Sequence, residues 1–271
     1  AHVDTRLQSG DEVRIPPIRY TEKESEHSAP PLKLSEMPPI LFEDQNIMVV
    51  DKLAGMASHG GSGISYGLIE RMRASRPELP FLELVHRLDR GTSGVLVLAK
   101  TRKALVRLHE MIREGEMHKT YQALVKGDWQ NDRQHAKFPL FKYVTPSGER
   151  RVRVDPENGL PSHSIFRLKE RFGPVSLVEV DLLTGRTHQI RVHAAELGFP
   201  LVGDEKYGDF AFNDEVAHGS LGVPFKRMFL HSGKICFHHP ITGEELEIEA
   251  PLPKDCVELI EVLEQRKAQN K

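Results

Sequence analysis

The chain has 271 residues, of which 39% are hydrophobic and 28% are charged, a composition typical of a globular protein. Its formal net charge of −2 argues against a protein that binds nucleic acid with its whole surface, so any such site must depend on local basic patches. The sequence contains no run of 18 apolar residues, so it predicts no transmembrane helix. Its two cysteines are too few for a disulfide framework. A reducing cytoplasm is therefore the location that we expect.

The first 39 residues differ in composition from the rest of the chain. Residues 11–15 alternate like a short edge strand, which two prolines then end. Residues 21–39 are charged and rich in proline, with few large apolar side chains, as is typical of a linker. We therefore expect residues 1–20 to be the end of an N-terminal module, 21–39 to be a linker, and 40–271 to form the main domain.

Hydrophobic periodicity predicts both helices and strands in residues 40–271. Helices are predicted over 65–75, with Ser65 as N-cap, over 102–114, with Thr101 and Gly115 as caps, from Thr187 to 197, and over 255–266. Strands are predicted over 47–51, 84–85, 95–99, 118–126, the hairpin 143–154, 163–172, 175–183, 226–237 and 245–249. Residues 204–224 show little periodicity. Since helices and strands do not alternate strictly, we predict an α+β fold with a mixed, mainly antiparallel sheet.

One carboxylate stands out in the stretch LVHRLDRGTSGVLVLAK at 84–100. Asp89 lies between Arg87 and Arg90, on a glycine-flanked loop that leads into an apolar strand. The common role of such an aspartate is a salt bridge at the surface. A catalytic role requires a nearby cation, because burial raises the pKa of a carboxylate and an opposite charge lowers it.

The stretch LLTGRTHQIRVH at 182–193 offers such a cation. Arg186 lies where a predicted strand gives way to a helix N-terminus, at which backbone N–H groups favour anions. His188, Arg191 and His193 add further polar or cationic groups within two turns. This corner is a candidate site, and a solvated basic helix face is the alternative interpretation.

Other kinds of site are disfavoured by spacing. His188 and His193 are five residues apart and His238 is adjacent to His239, and neither spacing suits a zinc site. The GxSxG elbow of many serine hydrolases is missing, as are the Walker A and GxGxxG motifs of nucleotide-binding proteins. We therefore expect no metal and no cofactor.

Five blocks of the sequence, in order, resemble the motifs of RluA-type pseudouridine synthases. His86–Gly94 resembles the HRLDxxTSG signature of that family. The other four blocks are Lys52–Gly55, which has Leu53 where the family's KPxG block has proline, Lys119–Ala123, Leu182–His193 and Arg227–Pro240. The resemblance covers about residues 40–250, and Gly10–Pro17 resembles the end of an S4-like RNA-binding domain.

The resemblance implies a pseudouridine synthase fold with a central RNA-binding cleft, and isomerisation of uridine to pseudouridine without a cofactor. It implies that Asp89 is the essential carboxylate, that Arg186 is its paired cation, and that Tyr121 stacks on the uracil and is a candidate base for the C5 proton. Whether Asp89 attacks C1′ or removes a 2′ proton stays open. The further substrate and RNA contacts that it implies are His86, Arg87, Leu88, Arg90, Lys119, Leu183 and Arg191.

Within that family the similarity points to large-subunit (23S) ribosomal RNA as the substrate, and we expect a monomer with no membrane association. Two alternatives stay open. One is a non-catalytic RNA-binding module in which Asp89 is structural. The other is a nucleoside- or glycoside-cleaving hydrolase, which usually needs a second carboxylate such as Glu83.

Overall fold

The structure is a computed structural model that describes residues 29–61 and 64–269. The predicted S4-like segment at 1–20 and most of the predicted linker lie outside the described residues. The described end of that linker contacts the main domain: Leu32 is buried, and its N–H donates to Ser75 Oγ at 2.8 Å. Contacts with the main domain therefore begin before residue 40.

The described residues form twelve strands, five α-helices and one short 3-10 helix, Leu34–Glu36. The strands are β1 Ile40–Glu43, β2 Ile47–Lys52, β3 Glu83–Leu84, β4 Ser93–Ala99, β5 His118–Lys126, β6 Arg133–Ala136, β7 Leu140–Val144, β8 Arg150–Val154, β9 Ser164–Arg171, β10 Val175–Leu182, β11 Leu230–His238 and β12 Glu245–Glu249. The helices are α1 Leu68–Ser75, α2 Arg102–Glu114, α3 Gln189–Glu196, α4 Phe210–Ala217 and α5 Lys254–Gln269. None of these helices is long and apolar enough to cross a membrane.

Ten strands form one sheet in the order β1-β2-β4-β11-β5-β10-β9-β6, with β3 paired to β4 and β12 paired to β11. The pairing of β4 with β11 is parallel and the other pairings are antiparallel. Strands β7 and β8 form a separate two-stranded hairpin. The predicted α+β class with a mainly antiparallel sheet is therefore confirmed.

Most helix boundaries follow from local capping. Thr101 Oγ1 accepts the Ala104 N–H, and Gly115 adopts a φ of 77°, so both caps predicted for α2 are confirmed. Helix α1 begins at Leu68 rather than near Ser65, because the Glu70 carboxylate accepts the Gly67 N–H at 2.8 Å. A side-chain carboxylate on an N-terminal N–H stabilises a helix start.

Helix α4 was not predicted, and α3 begins two residues later than predicted. Only Val216 of α4 is fully buried, which explains the weak periodicity, while the Asp209 side chain caps the helix by accepting the Phe212 N–H at 3.0 Å. Helix α3 begins at Gln189 because His188 adopts a φ of 53°, outside the helical region.

Strand β4 is buried on both faces of the sheet. Val95 and Val97 pack with α2, whereas Leu96 and Leu98 belong to the core cluster that includes α1. Burial of such side chains contributes about 1.5–3 kcal/mol each to stability. The loop that carries Asp89 is thus joined to the most buried strand of the fold.

The parallel pairing of β4 with β11 depends on a glycine. Gly94 adopts a φ of +108°, and a Cβ added there would lie 2.2 Å from the carbonyl oxygen of Ser232. Only glycine takes this backbone conformation at such a close approach without strain.

We expect Gly94→Ala to lower the free energy of unfolding by about 3 kcal/mol or more, because it adds both backbone strain and a steric clash. Gly91→Ala is the matched control in the same loop, since its Cβ would meet only the Met228 side chain, at 3.4 Å or beyond. Urea unfolding of both variants measures the difference. Equal stability of the two variants would contradict the argument.

Candidate active site

The backbone on each side of Asp89 is fixed by a neighbouring loop. Ser58 Oγ donates to the Leu88 carbonyl at 2.7 Å and accepts the Leu88 N–H at 3.1 Å. The Arg90 carbonyl accepts the Gly55 N–H at 2.8 Å, and Arg90 Nε donates to the Gly55 carbonyl at 3.0 Å. Asp89 is therefore held at a defined position, while its side chain remains 25% exposed.

A buried lysine fixes the shape of the same loop. Lys52 is fully buried, and its Nζ donates to the carbonyls of Leu53 at 2.9 Å and Met56 at 2.8 Å, with that of Arg90 at 3.4 Å. Burial lowers the pKa of Lys52 to about 7, against the opposing effect of the Asp89 charge. The sequence marked Lys52 only as part of a motif block, because nothing in the pattern shows that its ammonium group is buried.

The cation beside Asp89 is Arg191. Its Nη1 lies 3.0 Å from Asp89 Oδ2, while its Nε and Nη2 donate to the two carboxylate oxygens of Asp204 at 2.8 and 2.7 Å. Burial opposes the charge of Arg191, but Asp204 and Asp89 together raise the pKa of its guanidinium above the ordinary value. Arg191 thus stays charged and bridges two carboxylates.

Arg191, and not the expected Arg186, forms this ion pair. Arg186 is exposed, and its Nε donates to the Pro161 carbonyl at 3.1 Å. The left-handed conformation of His188 turns the chain between the two arginines, so that Arg186 precedes the turn and Arg191 lies within α3. The sequence analysis located the block that supplies the partner of Asp89 but chose the wrong arginine within it. A left-handed turn at a residue other than glycine cannot be read from residue type.

Asp204 organises the segment behind Arg191. It is almost fully buried, and its Oδ1 also accepts the N–H groups of Lys206 at 2.8 Å and Tyr207 at 3.1 Å. Burial alone would raise the pKa of Asp204, but the hydrogen bonds and charge of Arg191 hold it below the ordinary value. Asp204 was not predicted as a site residue, because residues 204–224 show little hydrophobic periodicity and contain none of the motifs.

Tyr121 lies on β5 and belongs to the same core cluster as Ala123 and Val125, as the strand alternation predicted. It is 5% exposed and lines the same cavity as Asp89. Burial raises the pKa of its phenol above the ordinary value; the Ser232 hydrogen bond opposes this shift and the Asp89 charge adds to it. Tyr121 is therefore a neutral phenol in the free protein.

His86 and Lys119 line the cavity with different roles. His86 Nε2 accepts the Val97 N–H at 3.2 Å, and burial together with the charge of Lys119 holds the pKa of His86 well below its ordinary value. The neutral His86 thus ties the Asp89 loop to β4. Lys119 reaches the cavity from β5, where burial lowers its pKa to about 8.

Leu183, which was expected to line the pocket, is 47% exposed, and Leu182 lines the cavity in its place. Strand β10 ends at Leu182, and successive side chains at a strand end point to opposite sides. Leu88 lines the cavity as expected.

The cavity has a volume of about 1220 Å³ and is strongly basic. Among the described residues, Asp89 is the only Asp or Glu that lines it. The Lys and Arg side chains that line it are Arg87, Arg90, Arg113, Lys119, Lys142, Arg150, Arg151, Arg186, Arg191 and Lys206. The positive charge of a nearly neutral protein is thus concentrated around one carboxylate.

Among the described residues, Asp89 has no second carboxylate beside it in the cavity. Glu83 pairs with Arg73 at 2.5 Å and does not line the cavity. No group of three or more metal-binding side chains occurs within residues 29–61 and 64–269.

Comparison with known sequences gives one consistent picture. The profile of the family described as RNA pseudouridylate synthase matches residues 46–196. The chain is 49% identical over 251 residues to ribosomal large subunit pseudouridine synthase C of Escherichia coli K12, covering 91% of this chain and 77% of that protein. It is 47% identical over 269 residues to the protein of the same name from Pasteurella multocida, covering 98% and 80%.

Two solved structures have a similar fold. Human RNA pseudouridylate synthase domain containing 1 aligns with a TM-score of 0.64 and 26% identity, over 84% of this chain and 95% of that one. Human RNA pseudouridylate synthase domain containing 4 aligns with a TM-score of 0.67 and 24% identity, over 83% and 92%. The mixed sheet described above is thus shared with both.

We expect Asp204→Asn to destabilise the protein by about 3 kcal/mol at neutral pH, because it replaces the more buried of the two carboxylates that pair with Arg191 by a neutral amide. The folded-state pKa of Asp204 is depressed, so its contribution is present above the unfolded pKa and is lost as pH falls through the folded value. The difference in the free energy of unfolding between the wild type and Asp204→Asn should therefore become smaller as the pH falls. Urea unfolding at pH 7 and near pH 3 measures both values, and a gap that widens in acid would refute the assignment.

Proposed function

The chain belongs to the RNA pseudouridylate synthase family, and we propose that it isomerises uridines in large-subunit (23S) ribosomal RNA with Asp89 as its essential carboxylate. The observation that carries this proposal is that ten Lys and Arg side chains line the cavity and that Asp89 is the only acid among the described residues that line it. RNA is a polyanion, and phosphate contacts dominate its affinity for proteins. The names of the curated relatives support ribosomal RNA as the substrate.

Asp89 has the environment that the reaction requires. The C1′–N1 glycosidic bond of the uridine breaks, the uracil turns, and its C5 joins C1′, so that no electron is gained or lost. Arg191 holds Oδ2 of Asp89 at 3.0 Å, and in the proposed reaction Asp89 either attacks C1′ or removes the 2′ proton. The arrangement serves both routes equally, and neither needs a cofactor.

Tyr121 is proposed to stack on the uracil while it is detached. Its side chain is buried, and the raised pKa of its phenol keeps the ring neutral, so that it offers a flat uncharged surface to the uracil. Leu88, Leu182 and Ile190 supply an apolar lining that limits water in the cavity. Such exclusion of water protects a reactive intermediate from hydrolysis.

The remaining basic residues are proposed to bind phosphates on both sides of the target uridine. Arg87 and Arg90 flank Asp89, and Lys119 and Arg186 lie on other walls of the cavity. The target base must leave its stack to reach Asp89, which costs a few kcal/mol that these contacts offset. An enzyme of ribosomal RNA would act in the cytoplasm, and we propose that it does so as a monomer without a cofactor.

We expect Asp89→Asn to lower pseudouridine formation by at least about 10³-fold, because the amide is neither a nucleophile nor a base. The assay is tritium release from C5 of uridine in a 23S transcript. RNA affinity should stay near that of the wild type, since Asp89 adds no positive charge. Asp214→Asn, at an exposed position on α4, is the matched control.

Each alternative has its own outcome in this assay. Normal turnover by Asp89→Asn would contradict the proposed role, no release by the wild type would favour a binding module, and free uracil in the product would favour a hydrolase. Mapping of pseudouridine in 23S rRNA from cells that lack the protein tests the substrate. Sites that vanish should return with the wild-type gene and not with Asp89→Asn.

A further inference from the structure

A tyrosine outside the motif blocks lies behind the Asp89–Arg191 pair. Tyr207 places its ring against the Arg191 guanidinium, whose carbon lies 5.1 Å from the ring centroid. Its hydroxyl oxygen accepts the Val152 N–H at 2.9 Å and lies 2.7 Å from His188 Nδ1. The other ring nitrogen of this histidine, Nε2, lies 3.9 Å from Asp89 Oδ1. Tyr207 thus contacts both side chains that face the two oxygens of Asp89.

The backbone at His188 supports a functional role for its side chain. His188 is the only non-glycine residue with positive φ among the described residues, at 53°. Its carbonyl accepts the Val192 N–H of α3, but its side chain forms no cap and is directed elsewhere. Strain that persists at a cavity is a sign of a constrained functional group.

The hydrogen bonds decide which nitrogen of His188 carries the proton. If Nδ1 donated to Tyr207, the tyrosine hydroxyl would accept two hydrogen bonds, and the described residues offer no partner for its own proton. Nε2 would then direct a lone pair at the Asp89 carboxylate. If the Tyr207 hydroxyl donates to Nδ1, both the hydroxyl proton and the Nδ1 lone pair have a partner, and Nε2–H faces Oδ1 of Asp89 at 3.9 Å.

We propose that Tyr207 is a positioning residue for the isomerisation: its hydroxyl fixes His188 as the Nε2–H tautomer and directs that N–H at the Asp89 oxygen that Arg191 leaves free. This inference rests on the proposed role of Asp89. Arg191 binds Oδ2 at 3.0 Å, while His188 Nε2 lies 3.9 Å from Oδ1, a distance that must shorten when substrate binds for the second hydrogen bond to form.

The ionisation of both groups agrees with this assignment. Burial lowers the pKa of His188, with the Asp89 charge opposing the shift, so the imidazole is neutral at neutral pH. Burial raises the pKa of Tyr207 to about 12, and the Val152 N–H partly offsets the shift, so its hydroxyl keeps the proton that it donates.

The same hydroxyl links Asp89 to the β7–β8 hairpin. Val152 lies on β8, and Arg151 of that strand donates to the Lys206 carbonyl at 3.2 Å. Val152 also packs in one apolar cluster with Val192 of α3. Because the hairpin carries Lys142, Arg150 and Arg151 into the cavity, RNA bound to the hairpin is connected to the catalytic carboxylate through Tyr207.

The first test is spectroscopic and needs no activity. In wild-type protein labelled with ¹⁵N-histidine, the His188 signals, assigned from their loss in His188→Gln, should show an unprotonated Nδ1 and a protonated Nε2 at pH 7.5. In Tyr207→Phe the fixed tautomer should give way to a mixture. A protonated Nδ1 in the wild type, or the same tautomer in both proteins, overturns the proposal.

The second test separates positioning from RNA binding. We expect Tyr207→Phe to lower kcat about tenfold, the value of one hydrogen bond, with KM for the 23S transcript changed less than about twofold. An unchanged kcat, or a rise in KM alone, overturns the proposal. The thermal unfolding midpoint of the variant is measured alongside.

His188 variants give an independent readout if Tyr207→Phe folds poorly. The amide of His188→Gln can replace the Nε2–H donor, so it should retain more of the wild-type kcat than His188→Ala, although both share the same backbone strain. His218→Gln, at a position that is 77% exposed and directly follows α4, is the matched control. Equal kcat for the Gln and Ala variants would count against the donor role. An active Asp89→Asn would instead refute the proposed function, and the tautomer measurement would still stand.

Discussion

The buried charge of Arg191 is the constraint on which the site depends. Burial of a guanidinium lowers the stability of a protein unless its N–H groups are hydrogen-bonded to an opposite charge. In this protein Asp204 accepts hydrogen bonds from two nitrogens of Arg191 and Asp89 accepts one from the third. Asp204 is nearly inaccessible, whereas Asp89 remains partly exposed. The same cation therefore stabilises the fold through Asp204 and binds Asp89, which stays partly exposed to the cavity.

The loops around Asp89 follow from this arrangement. The ion pair fixes only one end of the side chain, so the backbone must be held separately. Ser58 and Gly55 hold the backbone through hydrogen bonds to the residues on either side of Asp89. The loop of Ser58 and Gly55 is itself fixed by Lys52, whose Nζ donates to the Met56 carbonyl. Ten Lys and Arg side chains line the cavity, and Asp89 is the one acid that lines it among the described residues, so positive charge is concentrated there although the whole protein is nearly neutral.

The sequence predicted the parts of this site that local patterns encode. The apolar run of β4, the capped helix α2 and the alternation of β5 led to correct elements, and the motif blocks located Asp89 and Tyr121 in one cavity. The pairing of Arg191 rather than Arg186 depends on the left-handed turn at His188, which residue type alone does not reveal. Asp204 and Tyr207 were missed because their contacts are long-range and their segment has no periodicity.

The most direct test of this account compares the two arginines of the 182–193 block in a single-turnover assay at saturating 23S transcript. Lysine cannot reproduce the planar donor set of a guanidinium, so Arg191→Lys should lower the rate by at least about 10²-fold, whereas Arg186→Lys should stay within about threefold of the wild type. Both proteins must show cooperative unfolding. A folded Arg191→Lys with the wild-type rate, or a loss confined to Arg186→Lys, would contradict the claim that Arg191 holds Asp89 in place for the proposed reaction.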